Sequence, residues 1–132
     1  MGDVAEGSLV QQWHDLMALH ATVSGELECR LQDEHGIGVS EFEALERLAT
    51  CDHKCRSADL LAAVHLSQSA TSRLVARLEK EGLVTRAMCE QDRRGIFVAL
   101  TDAGRRRYAE AKQTHRAVLR STLGEARLPQ AG

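Results

Sequence analysis

Apolar residues in this chain recur at steps of three and four as far as Gly82, at steps of two from Leu83 to Thr101, and at three and four again beyond it. A 3.6-residue recurrence lines one face of a helix, whereas strict alternation lines one face of a strand. A short β segment set between helices is therefore the strongest constraint on the fold. The runs "LVTRAMC" and "IFVALT" flank the turn-forming stretch "EQDRRG" and predict one hairpin.

Upstream, Leu9, Trp13, Leu16, His20, Val23, Leu27 and Leu31 share one helical face, predicting a long amphipathic helix over 9–35 that ends near "HGIG". Ser40 and Glu43 have the spacing of a capping box for a second helix, whose stripe is Phe42, Leu45, Leu48 and Ala49. Ser57 suits the cap of a short third helix carrying Leu60, Leu61 and Val64. Ser67 suits that of a fourth, with Ala70, Leu74, Val75 and Leu78 inward and Gly82 as its stop. After the hairpin, Thr101 restarts a helix through Tyr108, Ala111, His115, Val118 and Leu119, leaving a frayed tail from Leu123. A chain of 132 residues with 3% aromatics and a single proline fits one mainly α domain packed by aliphatic side chains.

Helix, helix, short helix, helix, hairpin, helix is the order of a winged helix-turn-helix, in which the second helix of the close pair enters the DNA major groove. Residues 39–100 form that lobe in this reading, flanked by helices 9–35 and 101–123. The net charge of −2 conceals an asymmetry that agrees with it. Residues 1–66 hold 4 Lys/Arg against 12 Asp/Glu, whereas residues 68–107 hold 9 against 5, so a polyanion meets the second block. Gln68, Ser69, Thr71, Ser72, Arg73 and Arg77 form the candidate reading face: Gln pairs with adenine, Arg with guanine, and Ser or Thr with phosphate. Arg93 and Arg94 at the hairpin tip reach for phosphates or a narrow minor groove. A solvated polar helix without a ligand is the plain alternative.

The run "LSQSATSRLVARLEKEGLVTRAMCEQDRRGIFVALTDAG", Leu66 to Gly104, resembles the multiple antibiotic resistance regulator (MarR) family. Its distinctive pieces are "RLEKEGLV", the wing tip Asp92-Arg93-Arg94 and "LTDAG". The resemblance implies a homodimeric DNA-binding regulator, commonly a repressor, with the terminal helices as dimer interface and a small-molecule pocket between them and the DNA-binding lobe. It also implies that Arg94 enters the minor groove while Asp92 orients the wing arginines. Family members carry another dimerising helix beyond the region equivalent to 117–126, whereas this sequence ends at Gly132. The dimer is thus expected to rest on the first and last helices over a smaller or rearranged interface. Two-fold symmetry predicts a pseudo-palindromic operator.

"TCDHKCRS" joins the second and third helices, where a winged helix has a short strand at about 54–57. Extended backbone would put Cys51, His53 and Cys55 on one face, a candidate zinc set whose spacing matches no known finger or ribbon. Cys55 and Cys89 fall in one small sheet and form a candidate redox pair; ordinary packed thiols are the simpler reading of both. The same helices resemble the arsenic-sensing (ArsR) repressors, but in "CRSADL" Arg56 and Ala58 stand where that family's two cysteine ligands would fall. Trp13, Leu16, Met17 and His20 are candidate effector-pocket residues, with core or dimer packing as their other use. No nucleophile elbow, P-loop, dinucleotide fingerprint or metalloprotease motif occurs, so no enzyme is expected. No cofactor is required and zinc is disfavoured. The expected partners are operator DNA, a second copy and a small-molecule effector, in the cytoplasm and away from membranes, because no apolar run spans a bilayer and Met1 to Ser8 lacks signal-peptide character. A metal-responsive regulator and a protein-interaction module that does not bind DNA remain the alternatives.

Overall fold

The computed structural model describes residues 2–51, 54–56, 60, 63–89 and 92–126, and the side chains among them except at 2–4, 54–55, 88–89, 92–96 and 125–126. The elements run α1 (Gly2–His35), α2 (Val39–Thr50), β1 (Lys54–Arg56), α3 (Gln68–Lys80), β2 (Val84–Cys89), β3 (Asp92–Leu100) and α4 (Asp102–Ala126). The fold is the mainly helical winged helix-turn-helix that the periodicity predicts. The short helix expected after Ser57 falls largely outside the described residues; Leu60, Ala63 and Val64 are helical. The turn that follows it into α3 holds His65 in the left-handed region, at φ 57°.

β3 lies between β1 and β2 and is antiparallel to both. Lys54 pairs with Ala99 and Val84 with Leu100, so the wing's base packs beside the helices. The core brings together Leu31 of α1, Phe42, Leu45 and Leu48 of α2, Leu78 of α3, Val84 and Val98 of the sheet, and Val118 of α4, all essentially inaccessible to water. Full burial of each such aliphatic or aromatic side chain contributes roughly 1.5–3 kcal/mol.

Two caps follow the sequence. Ser67 Oγ accepts the Ala70 amide at 3.2 Å, and Thr101 Oγ1 accepts the Gly104 amide at 3.0 Å. The α2 cap differs from expectation. Gly38 is the N-cap, its amide donates to Glu41 Oε1 at 3.2 Å, and Val39 donates to Glu28 Oε2 of α1, also at 3.2 Å. Carboxylates from two helices thus satisfy the first amides, and α2 begins before Ser40 can serve as its cap. At the far end of α3, Leu83 donates to the Leu78 carbonyl and Gly82 to that of Glu79. This Schellman closure needs the positive φ of Gly82, 77° here. The chain then turns so tightly that a Cβ on Gly104 would stand 2.1 Å from the Leu83 carbonyl oxygen, which gives the glycine of "LTDAG" its physical reason.

Candidate nucleic-acid interface

α3 has one buried edge, Thr71, Leu74, Val75 and Leu78, and one open face. Gln68, Ser69, Ser72, Arg73 and Arg77 are all exposed on that face. Thr71 departs from expectation: it is 4% exposed and its Oγ1 has no hydrogen-bond partner among the described residues, so it turns into the domain and leaves the open face to the other five. Position 71 lies three residues before Leu74 and four before Val75, on their side of the helix. A short polar side chain conceals that membership in the sequence.

Arg73 has no ion-pair partner among the described residues, whereas Arg77 Nη1 donates to Glu41 Oε1 at 3.3 Å. The wing is tied to the same helix. Arg86 of β2 donates through Nε and Nη2 to Glu79 Oε1, at 3.1 and 2.8 Å, linking the hairpin to the last turns of α3. Neither carboxylate stands out from the sequence. Glu79 and Arg86 are seven residues apart across a turn, and Glu41 and Arg77 are 36 apart, separations to which helical or strand periodicity is blind.

Asp92, Arg93 and Arg94 are described by backbone alone. They belong to β3, not to the turn between the strands as expected, and the register there is irregular: Met88 pairs with Ile96, yet Cys89 pairs with Asp92. The three residues between, Arg93, Arg94 and Gly95, therefore have no counterpart on β2 and form a bulge. A bulge bends its strand and re-aims the residues it carries.

The cysteines fare differently. Cys55 pairs with Val98, which pairs with Arg86 on its other side, three residues before Cys89. Two strand spacings of about 4.8 Å separate β1 from β2, beyond the roughly 7 Å Cα limit for a disulfide. The backbone register sets the two cysteines of the candidate redox pair on the outer strands, on either side of β3, and their side chains lie outside the described residues. In the candidate zinc set, Cys51 is partly buried with a free thiol, while His53 and the Cys55 side chain lie outside the described residues. Trp13, Leu16 and Met17 are 57%, 58% and 40% exposed, and His20 is exposed too, so they form an open face of α1 and not the wall of a pocket within the chain.

Behind the interface, α4 joins the lobe to α1 through polar contacts. His115 stacks on Phe42 with ring centroids 4.3 Å apart, and Arg116 Nη1 approaches its Nδ1 at 2.6 Å. Arg116 and Tyr108 both donate to Glu46 Oε2, at 2.5 and 2.9 Å. Burial first, then the neighbouring Arg116 cation, pushes the His115 imidazole below its ordinary range. Burial of Glu46 opposes its ionisation, but the hydrogen bonds from Arg116 and Tyr108 outweigh that and hold the carboxyl below the ordinary range. On the α1 side, Thr114 Oγ1 donates to Glu34 Oε1 at 3.0 Å and lies 2.7 Å from His35 Nε2.

The sequence pattern of the MarR family matches residues 35–95. The crystal structure of Sco3205, a MarR family transcriptional regulator from Streptomyces coelicolor, in complex with DNA, superposes with a TM-score of 0.84 at 30% identity, over 96% of this chain and 78% of that one. The chain belongs to the MarR family. AbsC, a MarR family transcriptional regulator from the same organism, superposes with a TM-score of 0.83 at 29% identity, over 90% of this chain and 80% of that one. The HTH-type transcriptional regulator YdgJ of Bacillus subtilis is 33% identical over 88 residues, which cover 67% of this chain and 53% of YdgJ. The chain thus spans about half the length of that curated relative. MarR proteins are transcriptional regulators and not enzymes, which agrees with the lack of catalytic motifs. Among the described residues, no helix is long and apolar enough to cross a membrane.

Proposed function

We propose that this MarR chain is a homodimeric, sequence-specific DNA-binding repressor that leaves a pseudo-palindromic operator when a small-molecule or oxidative signal arrives, and that it needs no cofactor to bind. The observation that carries the reading is the open face of α3, where Gln68, Ser69, Ser72 and Arg73 stand exposed beside a wing tied to the same helix by Arg86 and Glu79. Such groups match base edges and phosphates in a major groove. The DNA-bound state of Sco3205, on the same architecture, supports it. The exposed stripe of α1, with Leu123 of α4, is the surface a second copy would cover. An effector would act by changing how the two lobes are spaced and so favouring the unbound state.

Titration of the purified protein on its own promoter DNA, followed by fluorescence anisotropy at several salt concentrations, tests this. Saturable binding is expected, with log affinity falling by about 0.9 per neutralised phosphate against log salt; salt-independent binding, or none, overturns the reading. Arg73→Ala should cost about 1–3 kcal/mol and relax base preference, and Arg94→Ala should weaken binding with the fold intact. Parallel titrations under reduction, mild peroxide, zinc and chelator sort the signal. Indifference to all four assigns release to an organic effector.

A further inference from the structure

Glu41 presents a problem that stability alone does not solve. Its carboxylate is 5% exposed, Oε1 accepts both the Gly38 amide and Arg77 Nη1, and Oε2 is buried with no partner among the described residues. A buried, half-satisfied carboxylate is a poor device for stabilising a fold. Glutamine would cap α2 equally well, because the capping position accepts either residue. Among the described residues the charge is matched by one cation, Arg77, whose side chain is 60% exposed on the open face of α3, one turn from Arg73.

We infer that Glu41 is a positioning residue for DNA binding: from inside the domain it holds one guanidinium nitrogen of Arg77, so that the remaining donors are set toward a backbone phosphate. Arginine has five N–H donors in a fixed fork, and the bond to Glu41 occupies one of them. A free arginine loses rotamer freedom when it engages DNA, whereas a tethered one has lost part of it on folding. Tethering also restricts the reach needed for bidentate base readout. Arg77 thus becomes a phosphate clamp and Arg73 the base reader, dividing two roles that residue type alone would assign to both alike.

This rests on the proposed DNA-binding reading. The test is a double-mutant cycle on the full chain with operator DNA, comparing wild type, Glu41→Gln, Arg77→Ala and the double variant, each with a thermal melt, a salt series and a panel of single-base operator changes. Glu41→Gln should weaken binding about 3- to 10-fold, as expected when one long side chain must be immobilised on binding. The double variant should bind no worse than Arg77→Ala, the salt slope of Arg77→Ala should fall by about one, and base preference should be unchanged throughout. Wild-type or tighter binding by Glu41→Gln, or a loss that persists in the Arg77→Ala background, overturns the inference. If Glu41→Gln does not fold, Glu41→Asp takes its place in the cycle, its shorter carboxylate drawing back from Arg77: weaker binding that disappears in the Arg77→Ala background upholds the inference, and wild-type binding, or an altered base preference of Arg77→Ala, overturns it. Failure of wild type to bind DNA at all removes the functional reading instead.

Discussion

His115 shows how one side chain can join two lobes. It lies 9% exposed between Phe42 of α2 and Arg116 of its own helix, and an arginine can donate to Nδ1 only while that nitrogen is unprotonated. Its folded-state pKa lies below the ordinary value of 6.5, so between those two points the unfolded chain binds more protons than the folded one. Stability is then complete above about pH 6.5 and declines as pH falls through that window. Glu46, whose carboxyl is held low, contributes its share above about pH 4.5 and loses it only in stronger acid. Thermal melts from about pH 8 to 5 should show a falling midpoint, and His115→Gln should flatten the slope between about 7 and 5.5; an unchanged slope would assign the acid sensitivity elsewhere. At this scale the sequence is readable where a residue obeys a period or a cap. Ser67, Thr101 and Gly82 stand out, while Thr71 and Glu41 do not, because threonine sits on either side of a helix and a partner 36 residues away leaves no local trace.

α4 and the hairpin meet where backbone groups of both come within hydrogen-bond reach. The Leu83 carbonyl accepts from the Thr101 amide, and Thr101 Oγ1 donates to the Gly82 carbonyl at 2.7 Å, so the end of α3, the start of β2 and the start of α4 meet at one point. Gly104 fills that point without a Cβ because the Leu83 carbonyl already occupies the space. Gly104→Ala should therefore lower stability by about 1–3 kcal/mol, the range for forcing a methyl into a packed site, measured by urea unfolding. Gly25, mid-helix in α1 with nothing within 4 Å of where a methyl would stand, gives the opposite expectation. Gly25→Ala should raise stability by about 0.4–1 kcal/mol. Equal effects at the two glycines would refute the packing argument. Element types and order are legible because each run is long enough to show its period. The wing's register is not, since a bulge that sets Arg93, Arg94 and Gly95 apart obeys no alternation.

Across the whole molecule, one stripe of α1 changes its environment partway along. Leu27 and Leu31 are buried against the domain, yet the same face continues through Leu16, Trp13 and Leu9, at 58%, 57% and 63% exposed, with Val10 and Met17 beside them. Periodicity identifies which residues share a face; it does not say whether the chain itself or a second copy covers it, which is why pocket, core and dimer seam are all open readings of Trp13, Leu16 and Met17 from sequence. An apolar stripe of this length left in water is an association surface by default. If the proposed dimer forms through this stripe, Leu16→Glu should give a folded monomer by light scattering, because a side chain already exposed costs the single chain little when replaced. Losing the second half-site should then weaken operator binding by about 100-fold or more, the loss expected when two linked contacts become one. Gln11→Glu, on the opposite side of α1, should leave both mass and affinity unchanged. A Leu16→Glu variant that remains dimeric would move the interface off this stripe, and a monomer that binds the full operator undiminished would separate DNA recognition from two-fold symmetry altogether.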